Sequence, residues 1–556
     1  MHGKPHIVVL IGMPAAGKTT VGTQLAVALG RRFVDLDAVI AQQTGREVAD
    51  LLRRDGETAL RLHEAEALDR VLADPTPTVL ATGGGTPCFH DGLSRMRAVA
   101  QVVWLDAPLE TLVERALQDG DRPLLGHTRL EQTVALRELA NRRTQTYAQA
   151  HVRVDAGQPL AVVVRNLHLA LEPQEELTIS FENHTHPLIL HAGQVSDAAD
   201  TLARLGHGGK IALIVDRKVR AHAEPLQTML EARGLPTVLL EVAGGEKSKD
   251  IRVVTRLWQE LAAHAMDRGD VIVAIGGGAV TDLGGFVAAT WLRGVRFVAM
   301  PTTVLAMADA SVGGKTAIDL PQGPGQPHQP SQPGGKNLVG AFHPPVLVWL
   351  ALGSLETLAI AEWRSGLAEI AKMALAFDAA LWQDLLRDAR ALKRRSPEAL
   401  RPHLLRAIEL KSQVVARDPR ETGERKLLNL GHTLGHALEA ESGYTLRHGE
   451  AVALGLVAAA EVSVALGQAA PELAVQVRAG LQALDLPVHW ESQTTPAAIA
   501  RLAQDKKVRG TEVQFVALRD IGHAALFSCR RTDLAGMLSA LAAANPHLPR
   551  SNIVRR

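Results

Sequence analysis

The stretch Gly12-Met13-Pro14-Ala15-Ala16-Gly17-Lys18-Thr19-Thr20 carries two glycines, a lysine and paired hydroxyls at the spacing of a phosphate-binding loop. Gly12 and Gly17 let the backbone N–H groups of this loop, which includes the ATP-binding candidates Ala15 and Ala16, turn inward around phosphates, and the following helix N-terminus adds partial positive charge. Lys18 is placed to reach the terminal phosphates, Thr19 to ligate Mg²⁺, and Thr20 sits beside them. Asp35 and Asp37 lie on alternate residues at the end of the next apolar run, a strand pattern. One would face the metal and the other an acceptor hydroxyl. Arg61 and Glu64 are three apart and share a helix face. Gly83, Gly84 and Gly85 permit close backbone approach to a ligand. Arg122, in Asp121-Arg122-Pro123-Leu124-Leu125, reads as a lid arginine, and Arg143 stands four residues before Tyr147. Taken singly, each arginine reads as a surface or ion-paired residue.

A second set of chemistry-bearing residues follows. Gly276-Gly277-Gly278-Ala-Val-Thr-Asp282 comes between a strand pattern and a helix pattern, the setting of a dinucleotide loop, though it is not G-x-G-x-x-G. Asp216, Glu246, Lys249, Thr302 and Thr303 stand at or near ends of strand patterns, where an open parallel sheet takes a cofactor. In Asn429-Leu-Gly-His432-Thr-Leu-Gly-His436 the histidines are i, i+4 on one helix face, with His448 shortly beyond and Glu369 upstream. One carboxylate with two imidazoles leaves coordination positions open, as a catalytic metal requires. With 22 histidines in the chain, such a pair also arises by chance. Only 14 of the 60 basic side chains are Lys, so lysines inside motifs carry weight. Lys249, Lys315, Lys336, Lys372, Lys411, Lys506 and Lys507, with Arg293 and Arg425, suggest a phosphorylated, carboxylated substrate.

These residues need elements to hold them. At roughly 100–200 residues per domain, 556 residues make about three or four domains. Strands are expected at His6–Gly12, Phe33–Asp37, Thr78–Ala81, Gln101–Leu105 and Val152–Asp155, alternating with helices such as Lys18–Leu29. That alternation predicts a parallel sheet with helices on both faces over residues 1–170. Residues 171–178 are polar and Pro-containing and fit a linker. A second α/β pattern runs over 179–350, with strands at Lys210–Asp216, Thr237–Glu241, Val271–Ile275 and Phe297–Met300. A mainly helical pattern fills 351–556, with a small hairpin at Val513–Ala517 and Ala524–Phe527. Pro321–Gly335 is Pro- and Gln-rich and reads as an irregular excursion.

Composition excludes several classes. With 46% hydrophobic residues, sizeable cores are expected. A net charge of +1 argues against a general nucleic-acid or anionic-membrane binder. No uncharged apolar run reaches about 18 residues, so no membrane-spanning helix is expected. The N-terminus does not read as a signal peptide, and two distant cysteines, Cys88 and Cys529, suit a reducing cytoplasm.

In order, GxPxxGKTTVG, FVDLD, Arg61 in GETALRLHE, the triplet Gly83–Gly85, RPLL and Arg143–Tyr147 resemble shikimate kinase. That resemblance implies phosphorylation of the 3-hydroxyl of shikimate by ATP. Asp37, Arg61, Gly83, Gly84, Gly85 and Arg143 would hold shikimate, and Arg122 would belong to the lid. Leu60 departs from a family position that is often Phe. Downstream, GGGAVTDLGGFVAAT, PTTVLAMADASVGGKTAID, KNLVGAFHPP, GLAEIAKMAL and LLNLGHTLGHALEAESGYTLRHGEAV resemble 3-dehydroquinate synthase over about residues 179–540. That implies conversion of the seven-carbon phosphate DAHP (3-deoxy-D-arabino-heptulosonate 7-phosphate) to 3-dehydroquinate and phosphate, in a dimer with bound NAD and a divalent metal, zinc or cobalt.

The implied fold is a three-layer P-loop domain fused to a Rossmann-like NAD domain and a helical metal domain. By the same resemblance Glu369, His432 and His448 bind the metal. Asp309, Lys315, Lys336, Asn337, Lys372, Lys411, Arg425, Asn429, His436 and one of Lys506 and Lys507 surround the substrate, with Arg293 reaching the phosphate in a neighbouring subunit. Asp216, Glu246, Lys249, Gly277, Gly278, Asp282, Thr302, Thr303 and Thr357 line NAD. Two features depart from the family pattern: the Pro-rich excursion lengthens the spacing between Lys315 and Lys336, and Asp418-Pro419 replaces Asp-Glu. Other readings stay open. The C-terminal part could be a related sugar-phosphate cyclase or a metal-dependent polyol dehydrogenase, and the N-terminal part a non-catalytic ATP-binding module.

Overall fold

The computed structural model describes residues 6–118, 125, 128–171, 174–206, 208–320, 335–443, 445–495, 498–499 and 512–544. The chain forms two compact units. One comprises Met1–Glu175, His191–Ile211 and Arg220–Leu239; the other comprises Glu176–Leu190, Ala212–Val219 and Leu240–Arg556.

The first unit is built on five parallel strands: β1 (Ile7–Ile11), β2 (Arg32–Asp35), β3 (Thr78–Ala81), β4 (Gln101–Asp106) and β5 (Val152–Asp155). They lie in the order β2-β3-β1-β4-β5. The central strand, IVVLI, is buried at every position, as a parallel strand covered on both faces must be. Gly17 (φ 86) turns the chain from β1 into the helix Lys18–Leu29. One expectation fails here: Phe33–Asp37 does not stay extended. Strand β2 stops at Asp35, whose side chain accepts the Asp37 N–H and caps a helix, Leu36–Thr44. Asp37 therefore sits in a first helical turn and not on a strand face. The Asx cap outcompetes strand continuation. The helix Val48–Ala73, which carries Arg61, is broken at Gly56 (φ 83, ψ 174).

The second unit's main sheet has seven strands: β6 (Glu175–Phe181), β7 (His184–His191), β8 (Ile211–Asp216), β9 (Thr237–Val242), β10 (Val271–Gly276), β11 (Arg296–Pro301) and β14 (Leu347–Ala351). Their order is β6-β7-β14-β11-β10-β8-β9, and β10, β11 and β14 are parallel neighbours. Strand β6 begins at Glu175, inside the stretch expected as linker. A separate hairpin, β12 (Lys315–Leu320) with β13 (Gly335–Phe342), brackets the Pro-rich excursion. Residues 321–334 lie outside the described residues, but Leu320 pairs with Gly335, so the excursion leaves and re-enters at one hairpin end. The rest is helical apart from the hairpin β15 (Glu512–Asp520) and β16 (His523–Arg530). The helices Ile360–Phe377 and His448–Ala465 are apolar on most faces and form the core of this part. Among the described residues His448–Ala465 is the one helix long and apolar enough to cross a membrane, but 72% of it is buried inside the protein.

Candidate active sites

In the first unit, a cavity of about 760 Å³ runs between the phosphate loop and the glycine triplet, with Asp37, Arg61, Glu64 and Arg143 on its walls. The Lys18 ammonium donates to the carbonyls of Gly12 (3.0 Å) and Met13 (2.9 Å), which holds it inside the loop it closes. Thr19 donates its hydroxyl to Asp35 Oδ2 at 2.8 Å. Asp35 is thus the carboxylate beside the phosphate-loop hydroxyl, and Asp37 the one near the triplet. A Cβ on Gly83 would come within 3.5 Å of Asp37 Oδ1.

Arg61 is buried and pairs with Glu64 (2.8 Å) and Glu57 (2.7 Å). Burial alone would lower its pKa, but the two carboxylates raise it above the ordinary arginine value. Its Nε is buried with no hydrogen-bond partner, a donor left over for a ligand. The triplet is held by Tyr147, whose O–H donates to the Gly84 carbonyl at 2.5 Å. The sequence motif named Tyr147 without this role, because a bond spanning 63 residues has no local signature. Arg122 lies outside the described residues.

In the second unit, Glu369 from the helix Ile360–Phe377 meets His432 and His448, the first residues of two later helices. Glu369 Oε1 lies 3.2 Å from His448 Nε2 and 3.5 Å from His432 Nε2. The three ligand atoms fall within 4.8 Å of one another, so the donor set fits one divalent cation. Burial would push the Glu369 carboxyl up, but the Lys372 ammonium at 2.5 Å and the imidazoles hold it well below the usual carboxylate range. Burial lowers His432 to about 4, with Lys372 adding to the effect. His448 goes the other way: against burial, hydrogen bonds to Glu369 and Glu439 push it up to about 10.

Glu439, unmentioned in the sequence reading, is buried and accepts from His448 Nδ1 at 3.2 Å. It fixes the ring so that Nε2 faces the cation position. The only sequence signal was its place three residues after His436 on the same helix. His436 lies close by, with its ring centroid 5.1 Å from that of His432.

The expected substrate cations converge on carboxylates. Lys411 Nζ donates to Asp309 Oδ1 at 2.7 Å, and Lys372 lies 3.9 Å from the same oxygen. Burial lowers the Lys411 pKa, only partly offset by Asp309. Lys315 (2.6 Å) and Asn429 (3.0 Å) both donate to Glu421, another carboxylate the sequence reading passed over. Arg425 is buried, which lowers its pKa. Asp418 accepts three backbone N–H groups, from Thr422, Gly423 and Arg425, and turns the chain that carries Arg425.

Strand-end residues form the dinucleotide-type region. Gly277 opens the helix Gly278–Thr290, and Thr302 N–H donates to the Gly276 carbonyl at 2.9 Å. Thr303 Oγ1 accepts from Ala306 N–H at 3.1 Å, and Thr357 closes the turn Leu352–Thr357. Lys249, buried, pairs with Asp282 at 2.5 Å and donates to Asn337 Oδ1 at 2.6 Å. Lys336 lies 3.9 Å from Glu246. Asn337 and Lys336, expected around the substrate, are thus gathered with residues expected to line NAD. A side chain on Gly244 (φ 74) would overlap the Asp216 carboxylate, so backbone closes that edge. Arg293 sits at a turn with φ 68. Lys506 and Lys507 lie outside the described residues.

Fold and sites together define a P-loop phosphotransferase unit joined to an α/β-plus-helical unit with a dinucleotide-type loop and a Glu/His/His metal cluster. Residues 239–365 match the 3-dehydroquinate synthase N-terminal family and residues 366–508 its C-terminal family. The 3-dehydroquinate synthase of Caulobacter vibrioides is 40% identical over 372 residues, covering 65% of this chain and 97% of that protein. The chain belongs to the 3-dehydroquinate synthase family. Residues 14–171 match shikimate kinase, which makes the whole a fusion of two shikimate-pathway enzymes. Among solved structures, the 2-epi-5-epi-valiolone synthase of Streptomyces hygroscopicus subsp. jinggangensis, with NAD⁺ and Zn²⁺ bound, is 25% identical at a TM-score of 0.57, covering 66% of this chain and 99% of that one. The shikimate kinase of Acinetobacter baumannii in complex with shikimate is 33% identical at a TM-score of 0.28, covering 29% of this chain and 90% of that one.

Proposed function

We propose that the two activities are carried by the residues gathered above: ATP- and Mg²⁺-dependent phosphorylation of shikimate in the first unit, and cyclisation of DAHP to 3-dehydroquinate in the second. The observation that carries the kinase assignment is a single cavity with a phosphate loop at one end and Asp37, Arg61 and Arg143 at the other. Lys18 and the loop N–H groups hold the phosphates, while Thr19 and Asp35 would hold Mg²⁺, which supplies charge neutralisation between the phosphates. Arg61 and Arg143 take the acceptor's carboxylate, and Asp37 accepts the proton of the attacking hydroxyl.

In the synthase, Glu369, His432 and His448 would hold the metal, which supplies polarisation of a substrate hydroxyl. The Gly277–Gly278 loop, Asp216, Lys249 and Asp282 would hold NAD, which supplies a reversible hydride acceptor and is not consumed. Lys315, Arg425 and Asn429 present donors to the substrate's phosphate and carboxylate. Lys372 keeps Glu369 ionised and Glu439 orients His448. Purified protein mixed with DAHP should release phosphate only with NAD present and no chelator, and should yield dehydroquinate. ATP turnover should require shikimate. A different carbocycle as product, or shikimate-independent ATP hydrolysis alone, would overturn the corresponding half.

A further inference from the structure

Arg233 lies outside both family matches, 14–171 and 239–508, yet its segment Arg220–Leu239 belongs to the same compact unit as the phosphate loop. Its side chain is 8% exposed. All three nitrogens are used. Nε donates to Asp200 Oδ1 at 2.9 Å; Nη1 donates to the carbonyls of Ala148 and Met229, both at 2.8 Å; Nη2 donates to the Ala150 carbonyl at 2.7 Å. Arg97 completes the set, donating Nη2 to the same Asp200 oxygen at 3.0 Å and Nη1 to the Gln149 carbonyl. Three consecutive carbonyls, at 148, 149 and 150, are therefore each met by a guanidinium.

Those carbonyls sit just past the helix Arg129–Tyr147, whose C-cap is Ala148. A helix C-terminus carries partial negative charge and orphan carbonyls, so a buried cation there is favourable. Asp200, between two guanidinium groups, supplies the balancing charge. This helix ends on Tyr147 and carries Arg143 one turn earlier. Tyr147 holds the Gly84 carbonyl, and Arg143 Nη1 stands 3.1 Å from where a Gly84 Cβ would be. Tyr147 and Arg143 together anchor the acceptor wall of the cavity.

We propose that Arg233, with Asp200 as counter-ion, is a positioning residue for the shikimate side of the kinase cavity, capping the Arg129–Tyr147 helix from outside the kinase-matched residues. The proposal rests on the kinase reading above and ties acceptor affinity to a segment that follows the kinase in sequence. In the full chain, Arg233→Ala is expected to raise KM for shikimate about fivefold, equivalent to about 1 kcal/mol and within the range of a cation at a helix C-terminus. KM for ATP and synthase turnover should not move.

Arg233→Lys keeps the charge and reaches one carbonyl, so it should recover part of the affinity. Hydrogen exchange over residues 143–151 should rise in Arg233→Ala whatever the acceptor is. Rising exchange in a chain that cannot phosphorylate shikimate would sink the kinase reading and with it the stated role. Should Arg233→Ala fail to fold, Asp200→Asn removes only the counter-ion and should raise the same KM to a smaller degree. An unchanged shikimate KM in a folded variant overturns the proposal, as does an equal loss of both activities, which marks a cation that only stabilises.

Discussion

Lys18 and Asp197 show how differently single residues are determined. Lys18 was legible because its partners are its own loop: six residues of sequence place it, and the structure returns it to the Gly12 and Met13 carbonyls. Lys18→Met should lower kinase turnover by about a hundredfold or more, on the scale of losing a preorganised donor to transition-state charge, and leave DAHP turnover intact. Equal loss of both activities would refute that separation. Asp197 had no signal at all. It is buried, accepts the Gln194 N–H at 2.7 Å, and lies 3.4 Å from His191 Nδ1. That nitrogen already accepts from Gly193 N–H, so it has no proton to donate to Asp197. Burial pushes the carboxyl up to about 7. The folded state then holds a proton that the unfolded chain has released, so this group's contribution to stability falls as pH rises from about 4 to about 7. Asp197→Asn keeps the N–H acceptor and removes the titration. Urea midpoints should show the variant gaining more over wild type at pH 8 than at pH 5; an equal gain at both would refute the assignment.

At the scale of elements, strands and helices with strong periodicity were read close to their observed limits: Thr78–Ala81, Val152–Asp155 and Lys18–Leu29 match residue for residue. One error came at Phe33–Asp37, where one Asx side chain turned a strand into a helix start, and another at 171–178, where a strand already begins at Glu175. What sequence could not show is how closely the helices approach. Gly449, next to His448, packs on Ser365 in the helix that carries Glu369, and a Cβ there would overlap the Ser365 backbone. Gly449→Ala should therefore separate the two helices that supply metal ligands. The expected cost is about 1–3 kcal/mol of stability, the usual range for overpacking, together with weaker metal binding. Thermal melts and competition titration with a chromogenic chelator would check this. Unchanged melting and affinity would show that the helix pair yields without moving its ligands.

For the whole molecule, the two compact units hold chemically unlike sites: a phosphate loop beside Thr19 and Asp35 in one, a Glu/His/His cluster and a dinucleotide-type loop in the other. Stripping with a strong chelator and restoring Mg²⁺ alone should return kinase activity but not phosphate release from DAHP; zinc or cobalt should return the second. Recovery of both with Mg²⁺ alone would contradict the Glu369, His432 and His448 assignment.

By itself the sequence determined the phosphate loop, the two α/β patterns, the helical remainder and the metal-type histidines, because each is written in contiguous residues whose spacing is set by backbone geometry. Only the tertiary structure decided which partners each carboxylate meets. Asp35 rather than Asp37 meets Thr19, Glu421 gathers Lys315 and Asn429, Glu439 backs His448, and Arg233 caps a helix 85 residues away. An ion pair is chosen by proximity and shared burial after folding, and neither is a property of neighbours along the chain.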